Sequence, residues 1–228
     1  MKKILIGECG KQFSEGLKAH GFSPVILPKE KNLHESVGSH ADMLCVKLCK
    51  KLLFTKEYYE KNRDILGGLD VILTDERHGG KYPSDVLFNV LFTDDAIYAK
   101  LDSISKKIVS YAKDHLMKTV NVKQGYAKCS VAKVSGGYIT ADDGLFKKLT
   151  ENGETVLKIS PGGIVLPGVD YGFIGGASFY YDKTVYFFGD LSSHPDCEKI
   201  NGFCRQTRTK AVSISSCPLT DIGGAVIL

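Results

Sequence analysis

The sequence predicts an α/β fold, a five-bladed pseudosymmetric α/β propeller in which the N- and C-terminal segments together build one blade, as a single domain over residues 1–228. Three observations carry this expectation. Five similar apolar openings start at Asp42, Asp85, Cys129, Gly176 and Gly224, at spacings of 43, 44, 47 and 48 residues. A fixed order of elements follows each complete opening: a tight turn, a second strand, a helix and a third strand. The fifth unit stops after one strand, and the N-terminus begins with the parts it lacks. Counted through the chain ends, the last step is 46 residues, so the five steps account for all 228. Units that each bury half a core close into a ring, because closure removes exposed sheet edges and lets neighbours cover one another.

Taken in chain order, Lys3 to Ile6 reads as a second strand, Lys11 to His20 as a helix and Pro24 to Leu27 as a third strand. A Rossmann-like opening competes here, with Gly7-Glu8-Cys9-Gly10 as a phosphate loop, but the glycine spacing and the continuing βα alternation are missing. First strands are expected at Asp42–Val46, Asp85–Asn89, Cys129–Lys133, Gly176–Tyr180 and Gly224–Leu228. Reversals fall at Cys49-Lys50-Lys51, Asp94-Asp95, Ser135-Gly136-Gly137 and Asp182-Lys183, residue types that favour tight turns. Second strands follow at Leu52–Thr55, Ala96–Ala99, Tyr138–Thr140 and Thr184–Phe188. Helical spacing appears in Ile104, Ile108, Ala112 and Leu116, in Leu145 and Leu149, and in Cys197, Ile200 and Cys204. Third strands are Val71–Leu73, Thr119–Val122, Val156–Ile159 and Val212–Ile214.

Composition narrows the function classes. Thirty Lys+Arg against 26 Asp+Glu give a net charge of +4, and no basic run exceeds Lys-Lys, so neither nucleic acid nor a lipid surface is an expected partner. No apolar run nears the roughly 20 residues of a bilayer span, and Ile4-Leu5-Ile6 is too short for a signal-peptide core, so a cytoplasmic location is expected. The seven cysteines show no zinc-module spacing and read as reduced thiols. No nucleotide, flavin or haem signature occurs, and no cofactor is expected.

With the repeat in place, four short motifs stand out: Ser39-His40-Ala41-Asp42, Ser84-Asp85-Val86-Leu87-Phe88, Gly175-Gly176 and Gly223-Gly224. They resemble the strand openings of the guanidine-modifying enzyme superfamily, the pentein fold of arginine deiminases, dimethylargininases, agmatine deiminases and amidinotransferases. As architecture the resemblance covers the whole chain and points to a short bacterial branch of that fold. It implies a small cationic ligand, guanidino or amidino, and in a catalytic member a cysteine after the closing glycine pair. Here that stretch reads Gly223-Gly224-Ala225-Val226-Ile227-Leu228, without the cysteine. The alternative is a non-catalytic ligand-binding or interaction module.

Pseudosymmetry gathers Asp42, Asp85, Cys129, Gly176 and Gly224 around one axis. Two carboxylates there suit a planar guanidinium, which offers paired N–H donors, while Gly176 and Gly224 leave room for a ligand. The structural reading of the same residues is strand capping. Cys129 is the axial cysteine and candidate nucleophile. Lys128 favours its thiolate and the carboxylates disfavour it, so the sign of its shift stays open. His40, two positions before Asp42 and on the same face of an extended strand, is the candidate acid/base. Packing explains these two residues as well, and it is the preferred reading for Cys45, Cys49, Cys197, Cys204 and the loop residue Cys217. Asp190 and His194 read as helix-start chemistry before they read as a site. A metal at His40, Asp42, Asp85 and Cys129 lacks supporting ligand spacing, and none is expected. An interaction protein would use exposed Tyr58, Tyr59, Tyr180 and Tyr181, and a homodimer is compatible with either reading.

Overall fold

The computed structural model describes residues 1–228. The chain runs β1 (Lys2–Ile6), α1 (Lys11–Ala19), β2 (Phe22–Ile26), α2 (Ala41–Leu44), β3 (Val46–Leu48), β4 (Lys51–Thr55), α3 (Lys56–Lys61), α4 (Arg63–Leu66) and β5 (Val71–Thr74). It continues through β6 (Leu91–Phe92), β7 (Ala96–Ala99), α5 (Lys106–Asp114), β8 (Lys118–Asn121), β9 (Val131–Val134), β10 (Gly137–Thr140), α6 (Asp143–Glu151) and β11 (Val156–Lys158). The last part holds β12 (Ser178–Tyr181), β13 (Thr184–Phe187), a 3-10 turn (Leu191–Ser193), α7 (Cys197–Gln206), β14 (Lys210–Ser213) and β15 (Ala225–Ile227).

Five three-stranded sheets result, in the orders β3-β4-β5, β6-β7-β8, β9-β10-β11, β12-β13-β14 and β15-β1-β2. In each, the middle strand pairs antiparallel with the first and parallel with the third. The helical segment between second and third strands supplies the crossover that a parallel pair requires. The chain ends meet in one sheet, with Ile4 opposite Ile227 and Ile6 opposite Ala225. Local chemistry explains the reversals. Asp182 and Lys183 both hold positive φ, 47° and 58°, as a two-residue hairpin turn demands, and Gly136 does the same at 63°.

Each longer helix buries one stripe at the helical period: Phe13 and Leu17 in α1, Ile108 and Ala112 in α5, Leu145 and Leu149 in α6, Ile200 and Cys204 in α7. Asp142 caps α6, its carboxylate accepting the Leu145 N–H at 2.7 Å. Asp142→Ala is expected to cost about 1 kcal/mol, read as a lower thermal midpoint. The pair α3 and α4 carries no extended apolar stripe, so the sequence shows no helix there. It corrects the reading of Tyr58 as an exposed contact residue: Tyr58 is fully buried, and its hydroxyl donates to the Pro28 carbonyl at 2.7 Å. Tyr59 and Tyr180 are half-buried, and Tyr181 alone of the four is exposed.

Five buried apolar clusters make up the core, and each is shared by two consecutive sheets. One joins β3 and β4 to β7 and α5, the next β6 and β7 to β9 and α6, and a third β9 and β10 to β13 and α7. The fourth joins β12 to β1 and α1, and the fifth joins β1 to β4 and α3. No helix is long and apolar enough to cross a membrane.

Candidate functional site

The five repeat positions lie ahead of the first strands, in helical turns or tight bends, and not within the strands themselves. Leu44 N–H bonds to the His40 carbonyl, Ser130 N–H to Tyr126, and Ala177 N–H to Phe173, each four residues back. This corrects the expected strand starts at Asp42, Asp85, Cys129 and Gly176. It also removes the argument that His40 shares a face with Asp42 through an extended strand. His40 instead enters the short helix as its N-cap, at φ −59° and ψ 124°, with Asp42 in the first turn.

The turns are tied together by a continuous hydrogen-bond circuit through all five units. Asp42 N–H donates to the Gly223 carbonyl (3.2 Å), Gly224 N–H to Gly176 (2.7 Å), and Gly176 N–H to Cys129 (2.9 Å). The unit of Asp85 enters through a side chain. Asn89 Oδ1 accepts from the backbone N–H of Lys128 (2.8 Å) and Cys129 (3.2 Å), while its Nδ2 donates to the Asp42 carbonyl (3.4 Å) and to Cys129 Sγ (2.9 Å). Residues 42, 89, 129, 176 and 224, drawn from the whole chain, therefore meet around one small space.

Within that space Cys129 Sγ donates to Asp42 Oδ2 at 3.0 Å, and both side chains are buried. Burial pushes the Asp42 carboxyl up to about 6, against the opposing pull of Lys128 and His40. Burial also holds the Cys129 thiol well above its usual range, and the neighbouring Asp42 and Asp221 charges add to this. The sign left open by the sequence is thus resolved: as the protein stands, Cys129 is a proton donor. His40 faces Asp221 (Nδ1 to Oδ1 3.8 Å, outside hydrogen-bond range), and Asp221 accepts the N–H groups of Gly223 (2.9 Å) and Phe173 (2.8 Å). Asp85 accepts the Tyr126 hydroxyl at 2.5 Å. Asp42 Oδ1, Asp85 Oδ1 and His40 Nδ1 are buried with no hydrogen-bond partner.

Two glycines take different roles from the expected one. A side chain at Gly176 would strike the Asp221 carboxylate, and Gly224, at φ 61°, sits beneath the Lys128 ammonium and the carbonyls of Gly175 and Ser178. The room beside both is filled by the protein's own groups, not by an approaching ligand. Asp221, Asn89 and Tyr126 were missed from sequence. Asn89 had a signal, as the lone polar residue in the run from Val86 to Phe92. Asp221 and Tyr126 had none, since each precedes its repeat residue by three in loops of differing composition.

Outside the cluster, Asp190 caps the 3-10 turn by accepting from Ser192 N–H and hydroxyl, and His194 Nδ1 accepts from Asp196 N–H. Cys45 and Cys204 are buried in packing clusters, Cys217 and Cys197 are half-buried, and Cys49 is exposed at its turn. No three His, Cys, Asp or Glu side chains converge in a way that could hold a metal ion.

Two cavities flank the cluster. The first, about 520 Å³, is bordered by His40 and Asp221 and carries Glu8 and Glu35 against a single lysine, Lys29. The second, about 330 Å³, is lined by residues of β3, β6, β9, β12 and β15, the first strand of every sheet, with Asp42 and Lys128 among them. Neither is bordered by Cys129.

Residues 5–226 match the model of a family of unknown function (DUF6873). No curated protein matches the sequence. Among solved structures, dimethylarginine dimethylaminohydrolase from Pseudomonas aeruginosa, complexed with citrulline, superposes with a TM-score of 0.58 at 9% identity, covering 100% of this chain and 99% of that one. Agmatine deiminase from C. jejuni gives 0.60 at 8% identity, covering 94% and 87%. SxtG, an amidinotransferase from Microseira wollei, gives 0.51 at 9% identity, covering 97% and 94%. The chain has the fold of the guanidine-modifying enzymes, as its motifs implied.

Proposed function

The chain belongs to the family of unknown function DUF6873, and from that membership and its guanidine-modifying-enzyme fold we propose that it binds a small guanidino or amidino cation at the cluster of Asp42, Asp85, Cys129 and His40. The carrying observation is the pair of buried carboxylate oxygens, Asp42 Oδ1 and Asp85 Oδ1, that lack any donor. A buried carboxylate oxygen without a partner is costly, and a planar cation with paired N–H groups supplies what both need. The acid excess of the 520 Å³ cavity favours entry from that side.

The reading takes the five sheets as blades of one closed α/β propeller in a single domain. The cyclic sharing of core clusters, the β15–β1 pairing and the cavity bordered by all five first strands support it. If the ligand is turned over, the chemistry is amidino transfer or hydrolysis. Cys129 Sγ would attack the amidino carbon while its proton passes to Asp42 Oδ2, already hydrogen-bonded to it. The amine leaves with a proton from His40, and water or an acceptor amine then releases the amidino group from sulfur. A bound cation offsets the negative charge that keeps the thiol protonated.

A non-catalytic binding module is the second reading, favoured by the burial of Cys129 and its absence from both cavities. Calorimetric titration with guanidine, agmatine and arginine, with ammonia and amine release followed in parallel, separates the two. Binding by the unmodified protein is expected, weakened at least about tenfold in Asp42→Asn and Asp85→Asn, since each removes a charge-assisted pair. Release that disappears in Cys129→Ala while binding persists selects the enzyme; binding without release selects the module. No binding of any compound overturns both.

A further inference from the structure

The 330 Å³ cavity differs in kind from the acidic one. Its walls are apolar, with Val46, Leu91, Val131 and Val226 among them, and β15 residues remain half-exposed along it although they belong to a first strand. Its volume lies at the low end of the range for small-molecule sites, about 300–1,000 Å³. Three lysines line it, Lys47, Lys128 and Lys133, against one carboxylate, Asp42. The charges are sorted along its length. Asp42 and Lys128 precede β3 and β9 and lie at the inner end, whereas Lys47 and Lys133 sit within those strands toward the hairpins.

The two outer lysines are poorly neutralised. Lys47 Nζ donates only to the Ile227 carbonyl (2.6 Å) and forms no ion pair, and Lys2 lies close enough to add like-charge repulsion. Lys133 pairs with Asp94, 3.6 Å away and fully exposed, a contact of little energetic weight, and Glu154 lies within charge range of it. An apolar passage with two lysines at its outer end has a polarity of its own, and those ammonium groups draw an anionic head to that end.

We infer that this cavity is a second ligand site, which takes a linear aliphatic carboxylate with its tail against the valine and leucine walls and its head between Lys47 and Lys133. Apolar burial holds the tail, and the two ammonium groups select the sign of the head. The site does not depend on the guanidino reading, because the walls and the outer lysines take no part in the cluster around Cys129.

Calorimetric titration of the full chain with decanoate, below its micelle concentration, provides the test, with decylammonium as the same tail bearing the opposite charge. Saturable one-to-one binding of decanoate is expected, with decylammonium at least about tenfold weaker. Lys47→Glu combined with Lys133→Glu should weaken decanoate at least about tenfold. Val226→Trp, which fills the passage, should remove binding while the circular dichroism stays native. Absence of saturable decanoate binding overturns the proposal, as does equal affinity for decylammonium or unchanged binding in the double lysine variant. Should Val226→Trp fail to fold, the surface lysine pair and the two probe charges decide the matter alone.

Discussion

Asn89→Ala is expected to lower the unfolding free energy by about 3–5 kcal/mol, the largest stability loss of any single polar substitution at the centre. Asn89 is fully buried, and its amide bonds to the turns of both Cys129 and Asp42, joining the Asp85 unit to the hydrogen-bond circuit. Alanine leaves the N–H groups of Lys128 and Cys129 without an acceptor, and a buried orphan of this kind costs about 1–3 kcal/mol each. The lost volume adds a cavity term. Guanidinium denaturation measures the effect. A loss below about 1 kcal/mol would mean that water restores the acceptor and that the circuit is not a source of stability. Met43 Sδ and Cys129 Sγ also lose a donor, but sulfur accepts weakly and contributes little to the difference.

The second large effect appears in the pH dependence of stability, where His78 and Asp42 act in opposite directions. His78 is buried against the edge of Phe88, with neither ring nitrogen bonded. Burial lowers it from an ordinary 6.5 to about 4. Between those values the unfolded chain takes up a proton that the folded chain refuses, so stability falls as pH drops through this window. At about 1.4 kcal/mol per pH unit, the total is about 3 kcal/mol. Asp42 is raised from 3.8 to about 6, so over nearly the same window the folded chain holds the proton more tightly. Its contribution is complete below 3.8 and is lost as pH rises through about 6, again by about 3 kcal/mol. The two slopes cancel in the unmodified protein. His78→Leu should therefore gain about 3 kcal/mol relative to it between pH 6.5 and 4, and Asp42→Asn should lose about as much over the same range. Urea denaturation at pH 4, 5, 6 and 7 gives the comparison. Parallel curves for the three proteins would show that neither group titrates as its burial implies.

The repeat was legible because secondary structure answers to local rules. The second strand Ala96–Ala99 and the helix stripes at Ile108 and Ala112 or Leu145 and Leu149 fall where apolar period and turn residues put them. The turns at Asp182-Lys183 and Gly136 follow from positive φ alone. Where the local signal is thin, the sequence misleads. The segment from Lys56 to Leu66 forms two short helices without a sustained stripe, and the repeat openings form helical turns because their first residues satisfy backbone groups of other units.

Site residues divide in the same way. Asp42, Asp85 and Cys129 were visible because they hold equivalent places in a counted repeat; the structure joins Cys129 to Asp42 by a hydrogen bond, while Asp85 bonds to Tyr126 and its unit reaches the centre through Asn89. Asp221 and Tyr126 occupy loops of differing composition, and their importance lies in what they touch: Asp221 fills the space at Gly176, and Tyr126 bonds to Asp85. Whether Cys129 carries a thiol or a thiolate depended on its burial and then on its closeness to Asp42 and Asp221, residues 87 and 92 positions away in the chain.

By itself the sequence determined the number of units, the order of elements within each and the joining of the chain's two ends in one sheet. Those properties follow from turn chemistry and apolar period, which act over a few residues. Only the tertiary structure decided which polar atoms stay unpaired, which cavity is acidic and which carries lysines, and that Asn89 links the Asp85 unit to the circuit. Hydrogen bonds and charges act through space at a few ångströms, and no spacing along a chain records them.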